Sequence, residues 1–149
     1  MDHKPSAKFI IVMNIVLNLP LATAMSIAAP LVSGQPITAK NLIVNIIIGF
    51  VCACILNAVV PVQRILKGFP ALFKINPDSF AGAAVGNIPV CLIFVAVIGF
   101  VMTWYNVRVF PIVFFAYLGT FIPLFIVCYI VSMIFTPIAM KAAFAADSK

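Results

Sequence analysis

Side chains able to carry acid–base or nucleophilic chemistry are few in this chain. The one histidine is His3, and the three carboxylates, Asp2, Asp78 and Asp147, all fall in polar margins between long apolar blocks. Catalysis needs a nucleophile, a base or a metal held close together. Ser26 and Ser132 lie in apolar sequence with no base in view, so no enzyme is indicated. Neither a glycine-rich phosphate loop nor a His/Cys ligand set occurs, and the sequence calls for no cofactor and no metal. Cys52, Cys54, Cys91 and Cys128 sit inside apolar runs, where Cys52 and Cys54 point to different sides of a helix, and they read as small buried side chains. Proton-coupled export of cations would want a carboxylate inside the apolar blocks, and none is there.

What remains is the hydrogen-bonding chemistry of amides and hydroxyls. Asn14 and Asn18 are four apart and continue through Ala22, Ser26 and Ala29; Asn45, Gly49, Ala53 and Asn57 form a second stripe at successive fourth positions. Val95, Gly99 and Thr103, and then Ala116, Thr120, Cys128 and Ser132, make two more. On helices each stripe is one face, narrow enough for close backbone approach, and an amide bonded across helices contributes about 0.6 to 2 kcal/mol. Helix packing accounts for such stripes. A functional reading makes Asn14, Asn18, Asn45 and Asn57, with Thr120, the lining of a polar cavity or translocation path, and puts Arg108 at its outer mouth. Pro20 and Pro123 free the carbonyls of Val16 and Gly119 within the apolar blocks, as a kinked helix would.

The elements that must hold these residues follow from composition. Of 149 residues, 65% are apolar and 8% charged, too few charges to cover a soluble domain of this length but well suited to lipid as the outer solvent. Crossing a hydrocarbon core of about 30 Å takes about 20 apolar residues in a helix, because peptide groups in lipid must pair within the segment. Four blocks meet that length, at residues 9–31, 41–60, 83–104 and 110–138. Lys4 and Lys8 before the first block, with Ala22-Thr23-Ala24 inside it, imitate an export signal, but apolar sequence continuing to Leu31 suits a retained helix.

Of the nine basic residues, Lys4, Lys8, Arg64, Lys67, Lys74, Lys141 and Lys149 fall on one side of such a bundle and only Lys40 and Arg108 on the other. That asymmetry predicts both termini in the cytoplasm. The net charge of +6 is scattered among apolar blocks rather than gathered into a nucleic-acid-binding surface, so the expected partners are anionic headgroups and no nucleic acid. Trp104 and Tyr105 mark the lipid boundary of the third span, and Arg108 beyond them reaches lipid phosphate.

Residues 62–82 join the spans as a cytoplasmic connection. In its first half Ile65, Leu66, Phe69 and Phe73 can rest at the interface with the lysines outward, and a bare linker fits as well. The whole chain, 1–149, is then a single membrane domain made of a first hairpin at 9–61 and a second at 83–138.

The hairpins share an order of signals. Asn18-Leu19-Pro20 recurs as Asn87-Ile88-Pro89, 69 positions on, and Val60-Pro61 near the end of the second helix is matched by Thr136-Pro137 near the end of the fourth. Two copies that each cross twice enter from the same side, giving tandem parallel helical-hairpin repeats about an axis along the membrane normal. The unit, with an early small and polar helix, a short loop after Pro36 and an apolar helix ending in Val60-Pro61-Val62-Gln63-Arg64-Ile65, resembles a small family of bacterial membrane proteins of unknown function built from two-helix repeats. The resemblance covers most of residues 10–140 and implies a fold and a bacterial inner, plasma-membrane location, with no activity to transfer. The second copy departs from it, with Met140-Lys141 where the first has Gln63-Arg64.

The expectation is an all-α membrane protein with four transmembrane helices. It either binds or passively translocates a small solute, or serves as a non-catalytic structural or partner-binding subunit. Its stripes of small residues suit a homo-oligomer or contact with another membrane protein.

Overall fold

The computed structural model describes residues 6–77 and 79–147. Asp2, His3, Lys4, Asp78 and Lys149, which enter the chemistry and charge readings above, lie outside the described residues. Among the described residues the chain forms five helices: α1 (Ala7–Ser33), α2 (Ala39–Val59), α3 (Val62–Leu72), α4 (Phe80–Val107) and α5 (Ile112–Asp147). Four of them, α1, α2, α4 and α5, are long and apolar enough to cross a membrane, so the chain is a polytopic all-α membrane protein.

Local signals set most of the helix ends. The Ser6 hydroxyl accepts from the Phe9 amide at 3.2 Å and caps α1, and the Ser79 hydroxyl does the same for α4 through Gly82 at 3.0 Å. α1 stops at Gly34, whose φ of 66° is left-handed, with Gln35 N–H donating to the Pro30 carbonyl at 2.9 Å. Pro61 has no N–H to continue α2, and α3 starts directly after it.

Pro137 acts differently. The fourth span, expected to end near residue 138, continues as one helix to Asp147. Its tail is rich in alanine, the best helix former, and tertiary contact holds it: Ala139 and Ala143 are buried, and the Phe144 ring meets Phe9 edge-on at 5.1 Å. The start of α1 and the end of α5 therefore sit at the same end of the bundle.

α1 is the central element. Its broadest interface is with α5, and it also packs along α2; α4 completes the ring against α5 and, less extensively, α2. The four stripes seen in sequence face inward: Asn18, Ala22, Ser26 and Ala29 on α1; Asn45, Gly49 and Ala53 on α2; Val95, Gly99 and Thr103 on α4; and Thr120, Cys128 and Ser132 on α5 are all buried. Outward faces carry branched aliphatics at four-residue spacing. Ile122, Ile126, Ile130 and Ile134 are each more than half exposed, a row that acyl chains solvate and water would not.

The connection at 62–72 is helical, not a bare linker. α3 lies against the start of α4 with Ile65, Leu66 and Phe69 half-buried, Pro70 buried and Lys67 exposed. Phe73 stays exposed beside Phe69. The approach to α4 is close enough that a Cβ on Gly86 would collide with the backbone carbonyl of Leu66. Within α4, residues Val95–Gly99 form a π turn, and the hydroxyls of Tyr117 and Thr103 donate to the carbonyls of Ala96 (3.2 Å) and Gly99 (2.7 Å) there. Such a turn disturbs the regular helical ladder, and hydroxyl donors satisfy carbonyls it loosens.

Candidate functional site: amides and clefts at the α3 end

Because Asn14 and Asn18 are one turn apart on α1, both amides reach the same place on α2, and Asn57 meets them there. Asn57 Nδ2 donates to Asn14 Oδ1 at 2.8 Å and to Asn18 Oδ1 at 3.1 Å, while Asn18 Nδ2 donates to Asn14 Oδ1 at 3.0 Å. Asn14 Nδ2 turns back to the Ile10 carbonyl at 2.9 Å, and Asn18 Nδ2 also faces Cys54 Sγ at 3.9 Å. Asn18 is fully buried, and Asn14 and Asn57 are half-buried on the wall of a cleft of about 290 Å³ that Arg64 borders.

The other sequence candidates lie elsewhere. Asn45 is at the opposite end of α2, where it exchanges two longer bonds with Asn106 of α4, at 3.3 and 3.4 Å, beside a pocket of about 50 Å³. Thr120 donates to the carbonyls of Ala116 and Tyr117 on its own helix. Arg108 ends α4 in a left-handed conformation, with its Nε donating to the Tyr105 carbonyl at 3.0 Å and its guanidinium 4.8 Å above the Tyr105 ring. Three of the six candidates are thus gathered into one network and three are dispersed.

A second cleft, of about 430 Å³, opens between α3, α4 and α5 at the same end as the amide triad. Leu66, Lys67, Phe80, Met133 and Met140 line it, and Asn87 borders it from α4. Asn87 is 5% exposed, and its Nδ2 is the one buried side-chain nitrogen or oxygen without a hydrogen-bond partner among the described residues. Between the two clefts lies a narrow void of about 20 Å³; Met13 and Asn57 border it and the first cleft, while Leu66, Asn87 and Thr136 border it and the second. The three spaces cross the bundle sideways at the level of the amides. Beyond them toward the α1–α2 loop, Met25, Val95, Ile98, Met102 and Leu124 close the interior, each no more than 1% exposed.

No family model, no curated protein and no solved structure matches this chain. Function has to be read from the chain's own geometry. Hydrogen bonding to a guest, with a cation at the entrance, is the chemistry this end offers. Asn106 had no signal in the sequence, because a third span ending at Trp104 leaves it in a loop, whereas α4 runs on to Val107. Asn87 was legible as a repeated motif and Lys67 as an orienting charge; that α3 folds back and places both on one cleft was not.

Proposed function

We propose that this membrane protein binds a small solute in the clefts at its α3 end and does not pass it along the bundle axis. The observation that carries the reading is the contrast between the two levels of the interior. Voids meet at Asn57 and Asn87 near one end, while fully buried apolar side chains fill the middle. Close packing of that kind leaves no room for a hydrated solute. Clefts of a few hundred Å³ with apolar walls and a few polar groups are the usual form of a small-molecule site.

The same proposal takes the chain as two copies of one hairpin, akin to the two-helix-repeat family of bacterial membrane proteins. It sets the α3 end in the cytoplasm, where Arg64, Lys67, Lys74 and Lys141 meet anionic headgroups. A purely structural subunit is the second reading. The mutually bonded triad of Asn14, Asn18 and Asn57 favours it, since amides bonded across helices serve as ties between them.

The two readings separate by water access. In a background freed of native cysteines, Met13→Cys, Met133→Cys, Met25→Cys and Leu124→Cys are exposed to a membrane-impermeant maleimide in proteoliposomes. Labelling at positions 13 and 133 from one side only, with positions 25 and 124 protected, is the expected result. Modification of position 25 from both sides would overturn the closed axis, and protection at all four would leave the structural role.

A further inference from the structure

We infer that the cleft between α3, α4 and α5 takes an acidic amphiphile, a carboxylate or phosphate on an apolar chain, whose oxyanion meets Asn87 and Lys67. This rests on the binding role proposed above and adds the chemical class of the ligand.

Asn87 is the starting point, because a buried amide donor without a partner is unusual and unfavourable. Comparison of the two hairpins explains how it lost one. In the first, Asn18 Nδ2 donates to Asn14 Oδ1, one turn earlier on α1, and Asn57, four residues before Pro61, donates to Asn18 Oδ1. In the second, Asn87 stands in the place of Asn18, the residue four before it is Ala83, and the residue four before Pro137 is Met133. The second hairpin keeps one amide and replaces both complements, the acceptor by the methyl of Ala83 and the donor by the flexible thioether of Met133, and both substitutes border the same cleft. The amides beside the first cleft are thereby tied to one another, and the second cleft is left with a donor to offer.

Charge then selects the acceptor. Lys67 lines the cleft from α3, and Arg64 and Lys74 are exposed on and just after the same helix, so the entrance favours an anion over a cation. Apart from Thr136 the remaining wall, including Leu66, Phe80, Met133, Pro137 and Met140, is apolar and suits a hydrocarbon chain. A cation on a helix at the lipid boundary, an amide deeper in, and methionines beside them match the order of groups along an amphiphilic acid. Carboxylate from a free long-chain acid and phosphate from a bilayer lipid present the same oxyanion.

The test uses the full-length protein in phosphatidylcholine nanodiscs with a diazirine-bearing palmitic acid, photolysed and mapped by peptide mass spectrometry. Adducts should concentrate at Met133 and Met140 and be suppressed by excess palmitate or by phosphatidylglycerol, but not by methyl palmitate. Suppression by palmitate but not by phosphatidylglycerol assigns the free acid, and suppression by phosphatidylglycerol at lower concentration than by palmitate assigns the bilayer lipid. Lys67→Gln and Asn87→Leu should each lower the adduct yield by about tenfold, as loss of one charge-assisted hydrogen bond would, while Lys67→Arg retains it. Adducts spread evenly over the lipid-facing row of Ile122 to Ile134, equal competition by methyl palmitate, or a yield unmoved by both variants would overturn the assignment. Maleimide access to position 133 with any of those results leaves a water-reached cleft standing and removes only the ligand class.

Discussion

Two asparagines, one in each hairpin, should respond to the same substitution with opposite signs. Asn57→Leu withdraws the donor that Asn14 and Asn18 both accept and leaves Asn18 Oδ1 in a buried position without it. The expected loss is about 1 to 2 kcal/mol, seen as a lower thermal midpoint in detergent. Asn87→Leu removes a buried donor with no partner, and in lipid-stripped micelles it should leave the midpoint unchanged or raise it by the equivalent of about 1 kcal/mol. A fall of the same size in both variants would show that Asn87 is tied as firmly as Asn57. Lys74 offers a backbone test. It follows α3 with φ 57°, its N–H donating to the Ala71 carbonyl and the next N–H reaching the Pro70 carbonyl, the arrangement that glycine fills without strain. Lys74→Gly should stabilise by about 1 kcal/mol, read from the same unfolding curve.

Helices in this bundle are spaced by their smallest residues, and the spacing is unequally tolerant. At Gly86 an added methyl meets the Leu66 backbone carbonyl, which moves only if all of α3 moves. At Gly49 it meets the Met102 methyl at 2.8 Å and the Ala22 methyl at 3.3 Å, the first being the end of a flexible side chain. Gly86→Ala should therefore cost about 1 to 3 kcal/mol and loosen α3, which limited trypsin cleavage after Arg64 or Lys67 would report. Gly49→Ala should cost about 1 kcal/mol or less and leave trypsin resistance intact, because a methionine can repack. Equal sensitivity of the two variants would argue that α3 does not lie against α4 as described.

Taken together, the chain is closed on itself by its first and last helices. α1 and α5 share the broadest interface, and the α5 tail beyond Pro137 binds it with Ala139 and Ala143 buried and Phe144 on Phe9. Ala143→Leu should wedge the tail from its seat at a cost of about 1 to 3 kcal/mol. Hydrogen exchange would show it as faster opening at residues 139–147, with protection in α2 retained, whereas uniform loss of protection would mean that the seat governs the whole fold. The same α3 end holds the amide triad and both clefts, so variants that free the α5 tail should also weaken the binding proposed for the clefts.

Four membrane-crossing helices and their inward stripes could be recognised from the order of residues, because each depends on quantities added along the chain, whereas residues 62–72 fitted an interfacial segment and a bare linker alike. Hydropathy summed over a span pays no attention to neighbours, peptide groups in lipid must pair within their own segment, and residues four apart share a face on any helix. Which side chains meet across helices is another matter. Asn14, Asn18 and Asn57 converge while Asn45 pairs with Asn106, and Asn87 keeps a donor unmet, because these outcomes turn on the rotation and axial shift of one helix against another. Pro61 and Pro137 carry the same local signal, yet only the first ends a helix. The tail after Pro137 stays helical and is held by its contact with α1, a decision made by packing between residues far apart in the chain.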